Sequence, residues 1–269
     1  MTFLDFYGLA FNPFDKQMVK EKDRFPSNDV VTMIGMLNYL KTTRGIGVFT
    51  ARPGLGKTFG LRCFAKDLNP NLFHMEYIPL STVTVAEFYK ELCSILGLET
   101  RGGKPRMFKA IQEQIDSLYS EKRQPLLLAI DEAQYLSTGI LTDIKMLMNS
   151  EYDSVNKFTL ILCGEPYLNN TLMKPVHESL RQRITVHYNF QGLSDAEVQE
   201  YVIHKLKTAG GAPGLIDIPA LSAIHSNSQG NPRIIDTLMT NSLILGSQKE
   251  KHTIDADIVL SVVSSRNLT

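Results

Sequence analysis

The chain has 269 residues, with 28 Lys plus Arg and 28 Asp plus Glu, so its formal net charge is zero and no global basic field points to nucleic acid or an anionic membrane. A hydrophobic content of 43% is enough to bury the core of one large or two modest domains, which excludes a disordered chain. Three isolated cysteines and no apolar run near the roughly 20 residues that span a bilayer predict buried thiols in a soluble cytoplasmic protein.

Short apolar runs alternate with longer amphipathic stretches over the first two thirds of the chain, which predicts strands and helices of a parallel sheet. We expect five strands at 46–50, 74–80, 126–130, 158–163 and 184–188. We expect helices at 28–43, from 57 onward, and at 85–96, 105–121 and 176–182. After Gly192 the strand pattern ends, and four helical patterns follow up to Ser264.

A glycine-rich loop at 51–58, reading Ala-Arg-Pro-Gly-Leu-Gly-Lys-Thr, lies between a predicted strand and a predicted helix. Its glycines let backbone N–H groups approach phosphates, Lys57 supplies a charge for the β- and γ-phosphates, and Thr58 offers a hydroxyl to Mg²⁺. Ala51 replaces the glycine that usually begins this pattern. The residues expected to contact the nucleotide here are Arg52, Pro53, Gly54, Leu55, Gly56, Lys57, Thr58 and Phe59.

Two acidic residues, Asp131 and Glu132, directly follow the apolar strand 126–130. Parallel sheets open their ligand crevice at the carboxyl ends of the strands. We therefore expect Asp131 to hold Mg²⁺ and Glu132 to orient and deprotonate the attacking water. Such a pair also caps helices, but together with the preceding loop it indicates hydrolysis of ATP.

These two motifs resemble the Walker A and Walker B motifs of the AAA+ ATPases, and the similarity extends over most of the chain. Residues 131–134 alone also resemble a helicase box, but the residues after Gly192 lack the strands of a second RecA-like domain. The resemblance implies an α/β fold, with a five-stranded parallel P-loop sheet flanked by helices in residues 1–192, including an N-terminal arm. It also implies a small helical lid in residues 193–269, with ATP and Mg²⁺ as cofactors.

The AAA+ resemblance assigns two arginines to catalysis. Residues 180–184 are similar to the box whose arginine completes the site of a neighbouring subunit, so Arg183 is the expected finger and Arg181 the reserve. The alternative is a solvated helix end stabilised by its dipole. Residues 230–233 resemble the sensor 2 turn, so Arg233 is expected at the γ-phosphate of its own subunit, unless it is a surface capping residue.

One position departs from the AAA+ pattern. Glu165 follows the fourth predicted strand, where the sensor 1 residue usually has a neutral polar side chain. A carboxylate there would add negative charge near a phosphate. Either Glu165 points away from the nucleotide or hydrolysis is slow.

The segment 6–15 looks like the N-terminal signature of ExeA-like ATPases, which place it against adenine. Phe11, Pro13 and Phe14 would then form an apolar wall for the base, and packing of the arm onto the core is a compatible alternative. This group includes membrane-linked secretion ATPases and transposition ATPases typified by MuB, TniB, IstB and TnsC. Secretion members carry a transmembrane segment and a wall-binding domain. The sequence shows neither pattern, so we expect a transposition regulator.

The transposition resemblance implies a ring or filament that assembles on duplex DNA with ATP and disassembles on hydrolysis, with a transposase and a target-selection protein as partners. A basic segment at 100–109 gives local support, with Lys104, Arg106 and Lys109 as expected DNA contacts. Ordinary solvated surface is the alternative for this segment. A secretion-type or assembly ATPase acting on protein, and an initiator or helicase-loader ATPase, are the other functions left open.

Overall fold

A computed structural model describes residues 2–15, 25–79, 84–149 and 155–266 of the chain. Its contacts divide the chain into two compact units. The sheet unit is Thr32–Phe190, and the helical unit combines Met1–Val31 with Gln191–Thr269.

The sheet unit contains five strands: β1 (Gly45–Thr50), β2 (His74–Pro79), β3 (Leu126–Asp131), β4 (Thr159–Gly164) and β5 (Ile184–Asn189). They are parallel and lie in the order β2-β3-β4-β1-β5. The three central strands are buried along their whole length, which explains their continuous apolar sequences, whereas the edge strand β5 alternates. This sheet confirms the predicted fold class, while Leu80 of the second predicted strand lies outside the described residues.

Helices cover both faces of the sheet and form the helical unit. In chain order, those within the described residues are α1 (Phe3–Tyr7), α2 (Asn28–Thr43), α3 (Lys57–Asp67), α4 (Val85–Ile95), α5 (Lys104–Asp116), α6 (Thr138–Leu147), α7 (Tyr167–Leu172), α8 (Glu178–Arg181), α9 (Asp195–Thr208), α10 (Ile218–Ser228), α11 (Pro232–Gln248) and α12 (Ala256–Arg266). One apolar layer of the sheet unit includes α2 and α3, and the other includes α4, α5 and α6.

Two predicted helices end or begin differently in the structure. The helix predicted at 105–121 is α5 followed by a π-helical turn, Ser117–Glu121. The helix predicted at 176–182 is a 3-10 turn, Pro175–His177, that leads into the short α8. Both differences leave the sheet and its order unchanged.

The N-terminal segment packs within the helical unit. The Tyr7 hydroxyl donates to the Lys251 carbonyl over 2.9 Å, and the Phe6 ring stacks on His252. Farther along, the Ala10 N–H donates to the Ala209 carbonyl over 2.9 Å. Residues 2–15 and Phe25 therefore share a core with the C-terminal helices, while the functional division at 192 and 193 stays a prediction.

None of the helices in the described ranges is long and apolar enough to cross a membrane. Cys63, Cys93 and Cys163 are buried and carry free thiols. Burial raises the pKa of the Cys163 thiol, with the nearby Asp131 carboxylate adding to the effect.

Candidate nucleotide site

The loop between β1 and α3 depends on two glycines with positive φ. Gly54 has φ 88° and Gly56 has φ 101°, which are conformations that side chains disfavour. Gly56 is the N-cap of α3, and no side chain caps this helix. The first N–H groups of α3 therefore rely on a partner other than a capping side chain, and a phosphate is a suitable one.

Lys57 begins α3 and is buried, with 7% of its surface exposed. Its ammonium donates to the Ala51 carbonyl over 2.9 Å, which ties the end of the loop to its beginning. A lysine ammonium has three N–H donors, so this bond is compatible with further bonds to phosphate oxygens. The burial of the charge favours an anionic ligand nearby.

Asp131 is the buried acceptor of a small hydrogen-bond network at the end of β3. Its Oδ2 accepts a 2.7 Å bond from the Thr58 hydroxyl and a 3.0 Å bond from the Tyr77 hydroxyl. Its Oδ1 accepts a 3.0 Å bond from the Glu132 N–H. A carboxylate and a hydroxyl side by side are hard oxygen donors of the kind that Mg²⁺ takes, so these residues fit the expected cation.

The sequence did not point to Tyr77. The register of β2 against β3 pairs Tyr77 with Ala129, two residues before Asp131, and the length of the side chain bridges the difference. Burial raises the pKa of the Tyr77 hydroxyl well above its ordinary value, and the charge of Asp131 adds to this effect. Tyr77 therefore remains a hydrogen-bond donor to Asp131 at neutral pH.

Glu132 lies in the left-handed region, with φ 54° and ψ 35°, directly after β3. Its Oε2 accepts a 2.7 Å bond from the side-chain amide of Gln134. The Gln134 Oε1 in turn accepts a 3.0 Å bond from the Glu165 N–H, at the end of β4. Gln134 was not singled out as a site residue from the sequence, and Glu165 meets this network through its backbone.

Both candidate finger arginines have partners within the chain. Arg181 donates to the carbonyls of Leu172 and Lys174, each over 2.9 Å, and so closes the end of α7. Arg183 donates to the side-chain oxygen of Asn149. The structure thus gives Arg181 a local structural role, while the role of Arg183 between subunits stays a prediction.

In the helical unit, Arg233 stands in the first turn of α11, after the N-cap Asn231. The Asn231 side chain accepts a 3.0 Å bond from the Arg233 N–H, so Asn231 rather than the arginine side chain caps this helix. A cation is unfavourable at a helix N-terminus, and an anionic ligand would offset that cost. The contact of Arg233 with a γ-phosphate stays a prediction.

The proposed adenine wall also belongs to the helical unit. Pro13 and Phe14 are buried, and Phe11 packs partly buried against the core of the same unit. The Lys205 ammonium lies 5.4 Å from the centre of the Phe14 ring. These contacts fit the packing alternative, and contact with a base stays a prediction.

Each of the three predicted DNA contacts faces a carboxylate. Lys104 pairs with Asp143 at 2.7 Å, and its ammonium lies 5.7 Å from the centre of the Tyr89 ring. The other two pairs are exposed, Arg106 with Glu99 at 3.3 Å and Lys109 with Glu113 at 3.7 Å. The local positive charge is therefore balanced, although exposed pairs of this kind exchange partners at little cost.

Comparison with known proteins gives a family and one curated relative. Residues 40–172 match the family described as "AAA domain". The General secretion pathway protein A of Aeromonas hydrophila is 30% identical over 256 residues, covering 94% of this chain and 46% of that protein. The chain thus spans about half the length of this relative.

Solved structures resemble the chain over most of its length. Cdc6p from Pyrobaculum aerophilum has a TM-score of 0.65 at 19% identity, covering 90% of this chain and 67% of that one. The Aeropyrum pernix ORC1 protein in complex with DNA has a TM-score of 0.63 at 13% identity, covering 92% and 68%. The Thermotoga maritima RuvB Holliday junction branch migration motor has a TM-score of 0.57 at 20% identity, covering 90% and 72%. At these identities the likeness concerns the fold.

Proposed function

We propose that the chain binds ATP with Mg²⁺ at residues 51–58 and hydrolyses it with Glu132 as general base, because residues 40–172 match an AAA domain and the parallel sheet has the fold of P-loop ATPases. The observation that carries this proposal is the 2.7 Å bond between the hydroxyl of Thr58 and the carboxylate of Asp131. It joins the two motifs at one point, where a cation bound to phosphates would need both oxygens.

Each residue of the proposed site would have a separate role in phosphoryl transfer. Lys57 would bind the β- and γ-phosphates beside the N–H groups of the loop. Thr58 and Asp131 would hold Mg²⁺, which when bound supplies positive charge to the phosphate oxygens. Glu132 would orient the attacking water through the carboxylate oxygen that Gln134 does not bind, and would take its proton.

We place the completion of the site between subunits of a homo-oligomer, a ring or a filament. Arg183 would contribute to the neighbouring site, which requires it to leave Asn149. The arginine of related phosphoryl-transfer sites supplies about 10³-fold or more in rate when it is added from outside. Formation of the oligomer would thus control the turnover of ATP.

For the action of the ATPase we propose assembly on duplex DNA and the regulation of transposition, including the recruitment of a transposase. The support is the resemblance of segment 6–15 to the ExeA-like group, which includes the transposition ATPases, together with the basic segment at 100–109 and a structural neighbour solved with DNA. The balanced charges around Lys104, Arg106 and Lys109 mean that oligomerisation would have to multiply weak contacts.

A second candidate is an ATPase that acts on a protein partner. The observation that favours it is the 30% identity with the General secretion pathway protein A, which extends over 94% of this chain. In this candidate the basic segment is ordinary surface. The nucleotide site and its chemistry are the same in both.

Imaging and filter binding with duplex DNA decide between the two candidates. The wild-type chain is mixed with duplex at low salt, with a non-hydrolysable ATP analogue, with ADP, or without nucleotide. If the transposition proposal holds, ordered assemblies form on DNA with the analogue but not with ADP or without nucleotide. Equal or no binding in all three states overturns it and leaves the protein-directed ATPase.

A further inference from the structure

A side-chain amide connects the ends of β3 and β4 beside the candidate general base. Gln134 donates from Nε2 to Glu132 Oε2 over 2.7 Å and accepts at Oε1 from the Glu165 N–H over 3.0 Å. We propose that Gln134 is a positioning residue for hydrolysis, which fixes the Glu132 carboxylate against the end of β4. This inference rests on the proposed function of Glu132 as base.

The chemistry of this position calls for a primary amide. The carboxylate of Glu132 needs a donor and the N–H of Glu165 needs an acceptor, and one amide group supplies both in a single plane. A glutamate at 134 would lose the donor, and an apolar residue would lose both groups. The bond to one carboxylate oxygen also leaves the other oxygen for a water molecule.

The backbone of β4 fits closely around this amide. A Cβ atom added to Gly164, the last residue of β4, would lie 2.8 Å from Gln134 Oε1 and 3.3 Å from the Gln134 backbone nitrogen. No side chain can enter here without moving the amide. The absence of a side chain at 164 therefore leaves the room that the Gln134 amide occupies.

Glu132 is held at its other end by its own backbone. Glu132 adopts φ 54°, a conformation that costs energy for a residue with a side chain. Its N–H donates to the Asp131 carboxylate over 3.0 Å. With the backbone fixed in this way, the bond from Gln134 selects where the carboxylate stands. A shift in the chain after β4 would be passed on to the base through this amide.

The link also gives a role to the unusual residue after β4. Glu165 occupies the position expected to hold a neutral polar side chain, and it takes part in the network by its N–H alone. Gln134, carried by the turn after β3, supplies a neutral amide at the same strand end. The site therefore couples the end of β4 to catalysis without a neutral side chain at 165.

The test compares full-length wild type with Gln134→Met, which keeps the length and removes both hydrogen bonds, and with Gln134→His, which can restore a donor and an acceptor. ATP affinity, kcat, KM and thermal unfolding are measured for each. We expect Gln134→Met to lower kcat about 10- to 100-fold, the range for losing a hydrogen bond to a charged group, with ATP affinity and the unfolding temperature retained. Gln134→His should recover part of kcat.

A double variant tests whether Gln134 acts through the base. In the Glu132→Gln background, Gln134→Met should have no further effect on the residual rate, because the group that it positions is gone. Additive losses in the double variant would overturn the inference. So would a parallel loss of ATP affinity and kcat in Gln134→Met, which indicates a general structural role.

The outcomes separate this inference from the proposed function. If wild type does not hydrolyse ATP, or Glu132→Gln hydrolyses at the wild-type rate, the proposed function fails. If Glu132→Gln stalls while Gln134→Met keeps the wild-type kcat, only the inference fails. Should Gln134→Met not fold, Gln134→Glu replaces it, since a carboxylate keeps the size but cannot donate to Glu132, and full kcat in that variant overturns the inference.

Discussion

The hydroxyl of Thr58 donates to the carboxylate of Asp131 over 2.7 Å, although 73 positions separate the two residues in the chain. Thr58 lies in the first turn of α3 and Asp131 ends β3. The parallel sheet brings both to its carboxyl edge, and Asp131 is almost completely buried there, with 3% of its surface exposed. The fold therefore brings together the two oxygens that we propose as ligands of Mg²⁺.

Thr58→Val tests the cation directly, because valine keeps the shape of threonine and lacks the hydroxyl. We expect ATP binding to require more Mg²⁺ than in wild type, since one of two protein oxygens is lost. Magnesium titrations of the binding of a fluorescent ATP analogue measure this. Thr142→Val is the matched control, as that hydroxyl donates within α6, to the Thr138 carbonyl. An unchanged magnesium requirement would remove Thr58 from the site.

Lys57→Met should greatly weaken the binding of nucleotide. The variant removes the charge that we expect to face the phosphates, as well as the bond to the Ala51 carbonyl that closes the loop. A hydrogen bond to a charged group is worth about 1.5–3 kcal/mol, so we expect a loss of about tenfold or more in affinity. Lys66→Met, at the exposed end of the same helix, is the control and should bind like wild type. Equal affinities for the two variants would refute the assignment.

Glu132→Gln should retain ATP and Mg²⁺ while hydrolysis stalls. Glutamine keeps the size of the side chain but cannot take a proton from water, whereas Asp131 still holds the cation. Phosphate release under single-turnover conditions and equilibrium binding of ATP measure the two properties. A chelator such as EDTA should abolish hydrolysis by the wild type as well. If this variant released phosphate at the wild-type rate, another residue would have to be the base.

The two arginines near β5 should respond differently to substitution. Arg183→Ala should leave ATP binding nearly intact and lower turnover, because its proposed target is the neighbouring site. Arg181→Ala should instead lower the unfolding temperature, since it removes two hydrogen bonds to the carbonyls at the end of α7. Specific activity of the wild type is followed on dilution. A specific activity independent of protein concentration would contradict a shared site.

The basic segment yields a prediction about salt. Arg106 and Lys109 form exposed pairs, so both can turn to phosphates, whereas the Lys104 pair with Asp143 also packs on Tyr89. Replacing Arg106 and Lys109 by Ala should weaken ATP-dependent binding of duplex and reduce the slope of log affinity against log salt by about two.

The control for that prediction removes two exposed lysines outside the segment, Lys66 and Lys90, by substitution with Ala. If both double variants bind duplex equally, residues 100–109 are ordinary surface. Lys104→Ala is examined separately by thermal unfolding, because loss of its half-buried pair is expected to affect stability as well as charge.

The strands and the acidic and glycine-rich motifs could be predicted because each rests on a local pattern. The central strands are continuous apolar runs. Lys57 directly follows the glycines of the loop, and Asp131 directly follows an apolar run, so both are recognisable from their neighbours in the sequence. Helix α6 also carries a readable pattern, a Ser137 cap followed by apolar residues at helical spacing, but it was not among the predicted elements. Helix α7, with six residues, is too short for periodicity to show.

The contacts of Tyr77 and Gln134 lay beyond sequence reasoning for a different reason. Tyr77 reaches Asp131 because of the register between β2 and β3. The register between two parallel strands cannot be predicted from the sequence of either strand alone. Gln134 reaches Glu165 because β3 and β4 are neighbours in the sheet, which strand order decides. The partners of Arg106 and Lys109 depend likewise on which surface residues the fold brings near.

The hydrogen bond from Tyr7 to Lys251 joins residues 244 positions apart, and it bears on how the chain folds as it is synthesised. The sheet unit comprises a continuous stretch, Thr32–Phe190, and all its strands leave the ribosome before the C-terminal helices exist. It can therefore fold first, as domains generally do during translation. The N-terminal segment can bury Tyr7 and Phe14 only after α11 and the residues that follow it have emerged, so the core of the helical unit is completed last.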